Sequence, residues 1–217
     1  MRKMKIKGVI FDMDGVLLNS EVLYQRFWLE SLQSYGYPAR KEHILALRSL
    51  TGKNAKLKLK SFFGESLDYE KVKAKRIALM DEYVRQNGVE IKKGADEILP
   101  YLKEKGIKIA LATSSPYERA EEHLGIAGLF KYFDQCICGG MVKNSKPQPD
   151  IYLLASKKLG LSPQECIAVE DSPNGVMSAV RAGCKTVMIP DLTPCTKDLK
   201  KDIFAICNDL TEIKDLV

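Results

Sequence analysis

The amino-acid sequence predicts an α/β fold, a doubly wound parallel sheet with a helical block inserted after the first strand. Short apolar runs rich in β-branched residues alternate with helical patterns through most of the chain. Residues 20 to 92 break this alternation, because they read as helix after helix with no convincing strand. The 217 residues, 45% of them apolar, suffice to build such a fold around a real core.

Apolar runs that end in polar residues are predicted to form the buried parallel strands. The first is KIKGVIFDMD, which ends at Asp12 and Asp14. Later runs cover residues 107 to 115, 165 to 172 and 185 to 191, and a weaker one covers residues 133 to 140. Parallel strands present their carboxyl ends at one edge of the sheet, so we expect the polar residues that follow them to meet there.

Capping residues mark the ends of the helices between these strands. Ser115-Pro116 and Ser172-Pro173 each put a serine N-cap before a proline at the first helical position. Glycines occupy the expected C-cap positions, at Gly106, Gly125, Gly160 and Gly183. Pro100 is an exception, because it lies inside the helical pattern ADEILPYLKEK, which it should shorten or kink.

The helical block is predicted to be a separate cap domain of residues 20–92, with residues 1–19 and 93–217 forming the sheet domain. It follows the first strand directly, so it is expected above the carboxyl end of that strand. Tyr24, Trp28 and Tyr35 recur at helical spacing near its start, which predicts packing inside the block. The wall of a substrate pocket is the alternative interpretation.

Charge and hydropathy exclude several classes of protein. The net charge is +6, and seven lysines lie between residues 53 and 75, which indicates a solvated helix face or, alternatively, attraction of an anionic substrate. Nucleic-acid binding is not needed to explain them. No window provides the ~18 apolar residues of a membrane span, and the first apolar run is too short for a signal peptide. We therefore expect a cytoplasmic protein without a membrane partner.

The cysteines and histidines offer little other chemistry. Cys136 and Cys138 form a close pair, but no CxxC pattern and no histidine at zinc spacing accompany them, so reduced and mostly buried thiols are expected. A Ser-His-Asp or Cys-His enzyme would have to use His43 or His123. Both are interpreted as ordinary surface histidines.

Paired carboxylates carry the most informative chemistry. Asp12 and Asp14 are separated by one residue, so on an extended strand they share a face, and Gly15 then permits a sharp departure of the chain. Two like charges so close require a cation, for which a hard, oxygen-ligated ion such as Mg²⁺ is the natural choice. Glu170 and Asp171 bring a second acidic pair to the same edge of the sheet. Incidental acids in a strand-end turn are the alternative for the first pair.

Two further segments are candidates for binding phosphate. Thr113, Ser114 and Ser115 end a strand and open a helix with hydroxyls and free backbone N–H groups, which suits a phosphate, although a plain N-cap also explains Ser115. Lys146, in SKPQPD, could offset the negative charge of carboxylates and phosphate, although most such lysines are merely exposed. Two acidic pairs, one lysine and a hydroxyl cluster at strand ends are hard to assign to chance.

The segments FDMDGVLLNSE, ATSS, SKPQPD and VEDSPNG resemble, in this order, the four motifs of the haloacid dehalogenase-like phosphatases and mutases. The resemblance covers the whole Rossmann-like core, and the helical block is similar to the cap of the subgroup with β-phosphoglucomutase and small-metabolite phosphatases. It implies that Asp12 attacks phosphorus to form an aspartyl-phosphate, while Asp14 donates and then accepts the proton. The Asp12 side chain, the Asp14 carbonyl and Asp171 would hold Mg²⁺, with Glu170 as a further ligand or outer-shell partner.

The same resemblance assigns the groups that would stabilise the transferring phosphoryl group. They are Thr113, the backbone amide of Ser114, and Lys146. It implies a small phosphorylated metabolite as the partner and no nucleic acid, and we expect a monomer.

The predicted cap separates a phosphatase from a mutase. The β-phosphoglucomutases carry a histidine where this chain has Tyr24, and an arginine three residues after a cap-loop glycine, where Gly52 is followed by Ala55. Arg48 or Lys53 could substitute for that arginine, so Gly52 and Lys53 are candidate substrate-binding residues. The sequence therefore favours a Mg²⁺-dependent phosphatase of sugar-phosphate type, with β-phosphoglucomutase as the alternative.

A hypothesis of another class is a non-catalytic binding module on the same fold, drawn to acidic partners by its basic helices. A catalytically dead copy should have lost Asp12, Asp14 or Asp171, and all three are present.

Overall fold

The computed structural model describes residues 5–47, 50, 52–191 and 193–217 of the chain. They form two compact units: Ser20–Gly88 is one, and the residues on either side of it form the other. Residues 89–92, which the sequence assigns to the helical block, group with the sheet. Arg48, a candidate for substrate binding, lies outside the described residues.

A parallel sheet forms the centre of the larger unit, with six strands among the described residues. They are β1 (Gly8–Phe11), β2 (Lys108–Ala112), β3 (Gln135–Ile137), β4 (Cys166–Glu170), β5 (Lys185–Met188) and β6 (Ala205–Ile206). Their order is β3-β2-β1-β4-β5-β6, so the winding changes direction between β1 and β4. Open α/β sheets bind their ligands at the carboxyl ends of the strands beside such a switch point. The predicted doubly wound α/β fold is confirmed.

The unit Ser20–Gly88 is helical throughout its regular structure. Its described helices are α1 (Glu21–Ser34), α2 (Lys41–Leu45), α3 (Gly52–Phe63) and α4 (Tyr69–Asn87). Trp28 of α1, Leu59 of α3 and Val72 of α4 meet in its apolar core. The Ser31 hydroxyl also donates to the Val72 carbonyl oxygen at 2.7 Å, which ties α1 to α4.

Aromatic and basic side chains divide between the core and the surface of this unit. Tyr24 and Trp28 pack in the core as predicted, and the buried Arg76 guanidinium lies 4.5 Å and 5.4 Å from their ring centroids. Tyr35 was expected in the same core, and this prediction is wrong, because Tyr35 follows the last residue of α1 and is 38% exposed. The lysines between residues 53 and 75 are exposed or half-buried, as a solvated face requires.

Four helices cover the two faces of the sheet: α5 (Ala95–Glu104), α6 (Tyr117–Ile126), α7 (Asp150–Leu159) and α8 (Pro173–Ala182). Successive strand residues point to opposite faces, so Val9 and Phe11 pack with α5 and α6, whereas Ile10 packs with α7 and α8. Burial on both faces explains why the strands read as continuous apolar runs. No helix in the described part of the chain is long and apolar enough to cross a membrane.

Several local predictions need correction. Pro100 lies inside α5 and does not shorten it, since the helix continues to Glu104. Gly125 lies inside α6 rather than at its C-cap, and the turn at the end of that helix uses Gly128, with φ +72°. His123 is fully buried instead of exposed, because it lies three residues after Ala120 on the face of α6 that points to the sheet.

Candidate active site

The carboxyl ends of three neighbouring strands bring the predicted catalytic residues together. β1 lies between β2 and β4, with Phe11 opposite Leu111 and Val169. Asp12 follows β1, Thr113 follows β2, and Glu170 is the last residue of β4. Parallel pairing thus delivers all three to one edge of the sheet, as the sequence predicts.

Lys146 joins all three of these strand ends. Its Nζ donates to Asp12 Oδ1 at 2.6 Å, to Glu170 Oε1 at 2.6 Å and to the Ala112 carbonyl oxygen at 2.9 Å. The Lys146 side chain is only 9% exposed, and Glu170 is fully buried. The lysine therefore neutralises part of a dense negative charge that has little access to solvent.

The pKa of the Asp12 carboxyl is raised to about 7 in this setting. Burial is the largest cause, and the charges of Glu170 and Asp14 add to it, whereas Lys146 opposes it. Burial lowers the pKa of Lys146, but the two carboxylates raise it more, so that its ammonium stays protonated. A further cation at this site would favour the ionised form of Asp12, the form that can attack phosphorus.

Tyr152 is a member of this network that sequence reasoning missed. It is fully buried on the first turn of α7, and its hydroxyl donates to Glu170 Oε1 at 2.6 Å. Burial and the Glu170 charge raise the pKa of Tyr152 well above its ordinary value, so the phenol stays a donor. The one signal in the sequence is that a tyrosine on a buried helix face requires a partner for its hydroxyl.

Ser115 links the hydroxyl segment to the second aspartate. Its hydroxyl donates to Asp14 Oδ2 at 3.1 Å, and its backbone N–H donates to Thr113 Oγ1 at 3.1 Å. Ser115 is not the N-cap that the sequence predicts, because α6 begins at Tyr117 and its N-cap is Pro116. Ser114, which lies between Thr113 and Ser115 in the chain, is exposed. Its carbonyl oxygen lies so close to Gly139 that a Cβ added to Gly139 would be 2.3 Å from this oxygen.

The acidic residues at this edge fit a divalent cation. Asp12, Glu170 and Asp171 each offer a carboxylate oxygen, and these three oxygens lie within 4.8 Å of one another. Hard oxygen donors at such spacing suit Mg²⁺. Asp14, the fourth predicted ligand, is half-buried on the same loop as Asp12.

Two glycines let the chain pass close to these acids. Gly15 has φ +83°, and a Cβ on it would lie 2.4 Å from Asp171 Oδ2. Gly175, in the first turn of α8, approaches even closer, since a Cβ there would lie 2.0 Å from the Glu170 carboxylate. Neither position has room for a side chain while the carboxylates stay in place.

We expect Gly175→Ala to cost about 1–3 kcal/mol of stability through overpacking against Glu170. Because Glu170 must shift to make room, affinity for Mg²⁺ should also fall. Gly125→Ala in α6 is the matched control, since a Cβ there meets nothing within 4 Å. Thermal unfolding and metal titration of both variants check this, and equal behaviour of the two would contradict it.

Two further candidates, Gly52 and Lys53, lie in the helical unit. Gly52 and Lys53 open α3, and both are exposed. Their predicted contact with substrate stays a prediction.

A family model described as haloacid dehalogenase-like hydrolase matches residues 9–189, which include β1 except for Gly8, all of β2 to β5, and all of the acidic residues above. The chain belongs to the haloacid dehalogenase-like hydrolases. It is therefore an enzyme of this family, and the predicted resemblance is confirmed.

Relatives within the haloacid dehalogenase-like hydrolases are similar over most of their length. The chain is 34% identical over 186 residues to a phosphorylated carbohydrates phosphatase of Thermotoga maritima, and this alignment covers 84% of each chain. It is 35% identical over 187 residues to hexitol phosphatase A of Escherichia coli, and this alignment covers 86% of this chain and 84% of the relative.

A solved structure of a candidate β-phosphoglucomutase from Thermotoga maritima superposes with a TM-score of 0.80 at 31% identity. It covers 97% of this chain and 98% of that chain. Members that differ in their named activity thus share this haloacid dehalogenase-like fold.

Proposed function

We propose that this protein is a Mg²⁺-dependent phosphatase that hydrolyses small phosphorylated metabolites of sugar-phosphate type through an aspartyl-phosphate. The observation that carries the proposal is the contact of Lys146 with Asp12 and Glu170 beside Asp171, since it combines a buried nucleophile, a fixed cation and a set of oxygen donors.

In the first step an Asp12 carboxylate oxygen attacks phosphorus, and the bond from phosphorus to the ester oxygen breaks. Asp14 gives its proton to the leaving oxygen. In the second step Asp14 takes a proton from water as the water oxygen attacks the aspartyl-phosphate, which releases inorganic phosphate and frees Asp12. The Ser115 hydroxyl, 3.1 Å from Asp14 Oδ2, holds Asp14 for both proton transfers.

Negative charge on the phosphoryl oxygens requires donors near Asp12. Lys146 provides an ammonium 2.6 Å from Asp12 Oδ1. Thr113 and the Ser114 amide, at the end of β2, are the other proposed donors. The bond from the Ser115 N–H to Thr113 Oγ1 fixes the Thr113 hydroxyl, which keeps its own proton to donate.

Mg²⁺ is proposed to be held by Asp12, Asp171 and the Asp14 carbonyl, with Glu170 as a further ligand or outer-shell partner. When bound it supplies charge stabilisation for the phosphoryl group and lowers the free energy of an ionised Asp12.

Two features support a sugar phosphate as substrate. The relatives are named for phosphorylated carbohydrates and for hexitols, which share a polyhydroxy carbon chain. The helical unit carries exposed lysines on α3 and α4, which favour an anionic metabolite. We propose that this unit, Ser20–Gly88, is the cap and that Gly52 and Lys53 contribute to substrate contact.

The experiment that tests the proposal is phosphate release from a panel of hexose, pentose and hexitol phosphates with Mg²⁺. Turnover of at least one of them well above that of a nucleotide or a phosphoamino acid is the expected result. No phosphate from any ester at micromolar enzyme would overturn the proposal and leave a mutase or the non-catalytic binding module.

β-Phosphoglucomutase is the second candidate, favoured by the similarity to the candidate mutase from Thermotoga maritima. Phosphorus NMR with β-glucose 1-phosphate, Mg²⁺ and a phosphoryl donor separates the two. Growth of free phosphate supports a hydrolase, whereas glucose 6-phosphate without free phosphate would establish the mutase. Tyr24, at the position where the mutases carry a histidine, leads us to expect free phosphate.

Removal of the metal is expected to abolish activity reversibly. EDTA should bring phosphate release to background, and excess Mg²⁺ should restore it, because Lys146 alone does not balance three carboxylates. The readout is the initial rate before and after chelation, with Ca²⁺ as the comparison ion. Full activity in EDTA would contradict the proposed use of Mg²⁺.

A further inference from the structure

We propose that Tyr152 is a positioning residue that fixes the Glu170 carboxylate for metal binding. The inference rests on the proposed function, to which it adds a residue outside the predicted site. The Tyr152 hydroxyl donates to Glu170 Oε1, so the effect of this hydroxyl on the metal site would be exerted through Glu170.

The Glu170 carboxylate has its two oxygens in different surroundings. Oε1 accepts from both the Tyr152 hydroxyl and Lys146 Nζ, each at 2.6 Å. Oε2 accepts a longer bond of 3.4 Å from the Ser172 hydroxyl. Tyr152 and Lys146 thus commit one oxygen to the protein, and the carboxylate cannot rotate without breaking two short bonds.

One segment of the chain delivers both donors. Lys146 precedes α7, and Tyr152 is the third residue of that helix. The Lys146 ammonium also lies 5.3 Å from the centroid of the Tyr152 ring, so the ring positions the lysine as well. A shift of α7 would move the two donors together and would change the orientation of Glu170.

A phenylalanine at this position would fill the same space but could not donate. Glu170 is fully buried, so no solvent is available to replace the lost donor, and its carboxylate would be held by Lys146 alone on Oε1. Groups that orient a ligand from outside the coordination sphere contribute to metal affinity, and their removal typically weakens it.

The test is Mg²⁺ binding to Tyr152→Phe, measured by titration calorimetry on the full chain without substrate. We expect the dissociation constant to rise by about 10- to 100-fold. Tyr69→Phe is the matched control, because Tyr69 is 4% exposed in the helical unit and has no part in this network. A merely structural role for Tyr152 would lower its melting temperature and leave the dissociation constant within twofold of wild type, which would overturn the inference.

A double-mutant cycle with Glu170→Gln tests whether Tyr152 acts through Glu170. In that background the Tyr152→Phe change should add less than twofold to the dissociation constant, because the carboxylate it orients is already gone. Additive effects would overturn the inference even if each single variant binds weakly. Failure of the wild-type protein to bind Mg²⁺ would overturn the proposed function with it, whereas normal wild-type binding with an unaffected Tyr152→Phe would overturn this inference alone.

Discussion

Replacing Asp12 by asparagine is expected to abolish phosphate release and to leave the metal-free fold at least as stable as the wild-type fold. The amide has the shape of the carboxyl but cannot form an acyl phosphate, so the rate should fall by about 10⁴-fold or more. The rate of phosphate release from the best ester of the panel, followed at saturating Mg²⁺, measures this loss.

The stability of Asp12→Asn should depend on pH in a defined direction. In the fold the pKa of Asp12 is about 7, against 3.8 for its ordinary value, so the native state binds the extra proton between these two values. The wild-type protein therefore loses stability as the pH rises from about 4 to about 7, and ionised Asp12 destabilises it above that range. Asparagine does not titrate, so the variant lacks this loss of stability. In EDTA the free energy of unfolding of the variant should therefore rise relative to that of the wild type as the pH rises.

Melting curves from pH 5 to pH 8 in EDTA check this prediction. Asp134→Asn is the comparison, because the Asp134 carboxylate accepts from the Ile109 N–H at 2.7 Å and its removal should cost stability without affecting turnover. An Asp12→Asn variant that keeps more than a few per cent of the activity would show that another group attacks phosphorus. One that melts well below wild type at pH 8 would show that the Lys146 contact outweighs the cost of burying the charge.

Much of the sheet unit was predictable because its strands are buried on both faces. Such strands appear in the sequence as uninterrupted apolar runs, and β1, β2, β4 and β5 all lie within the predicted runs. A strand of two residues, such as β6, offers no period to detect. His123 shows the opposite difficulty, since its polar neighbours in the sequence hide the fact that it points to the sheet.

The candidate site was predictable to the extent that strand ends determine it. Asp12, Thr113 and Glu170 converge because parallel strands share one edge, and this follows from topology alone. The bond from Tyr152 to Glu170 joins residues 18 apart through the packing of α7 on the sheet, and no local pattern encodes it. The Ser115 hydroxyl likewise reaches Asp14 across 101 residues, and only the pairing of β1 with β2 brings them together.

Lys146→Met is expected to have the second largest effect on activity. The methionine keeps most of the apolar stem but leaves Asp12 and Glu170 facing each other without the ammonium that bonds to both at 2.6 Å. Loss of a preorganised charge that faces the phosphoryl group should lower kcat by about 10²- to 10³-fold. Steady-state kinetics at saturating Mg²⁺ measure it, and added Mg²⁺ should not restore kcat if the ammonium acts on the phosphoryl group itself.

The same substitution should also destabilise the metal-free protein, by about 3–5 kcal/mol, since breaking a buried ion pair leaves carboxylates uncompensated. The loss should be smaller at pH 5 than at pH 8, because protonation of the carboxylates removes the repulsion that the lysine no longer offsets. Lys108→Met is the matched control: its Nζ donates to the Leu159 carbonyl oxygen at 2.6 Å, so it loses a structural bond without affecting the acids. If Lys146→Met lost stability but kept its kcat, Lys146 would serve only to neutralise the buried acids, and the stabilisation of the phosphoryl group would have to come from Thr113, Ser114 and the metal.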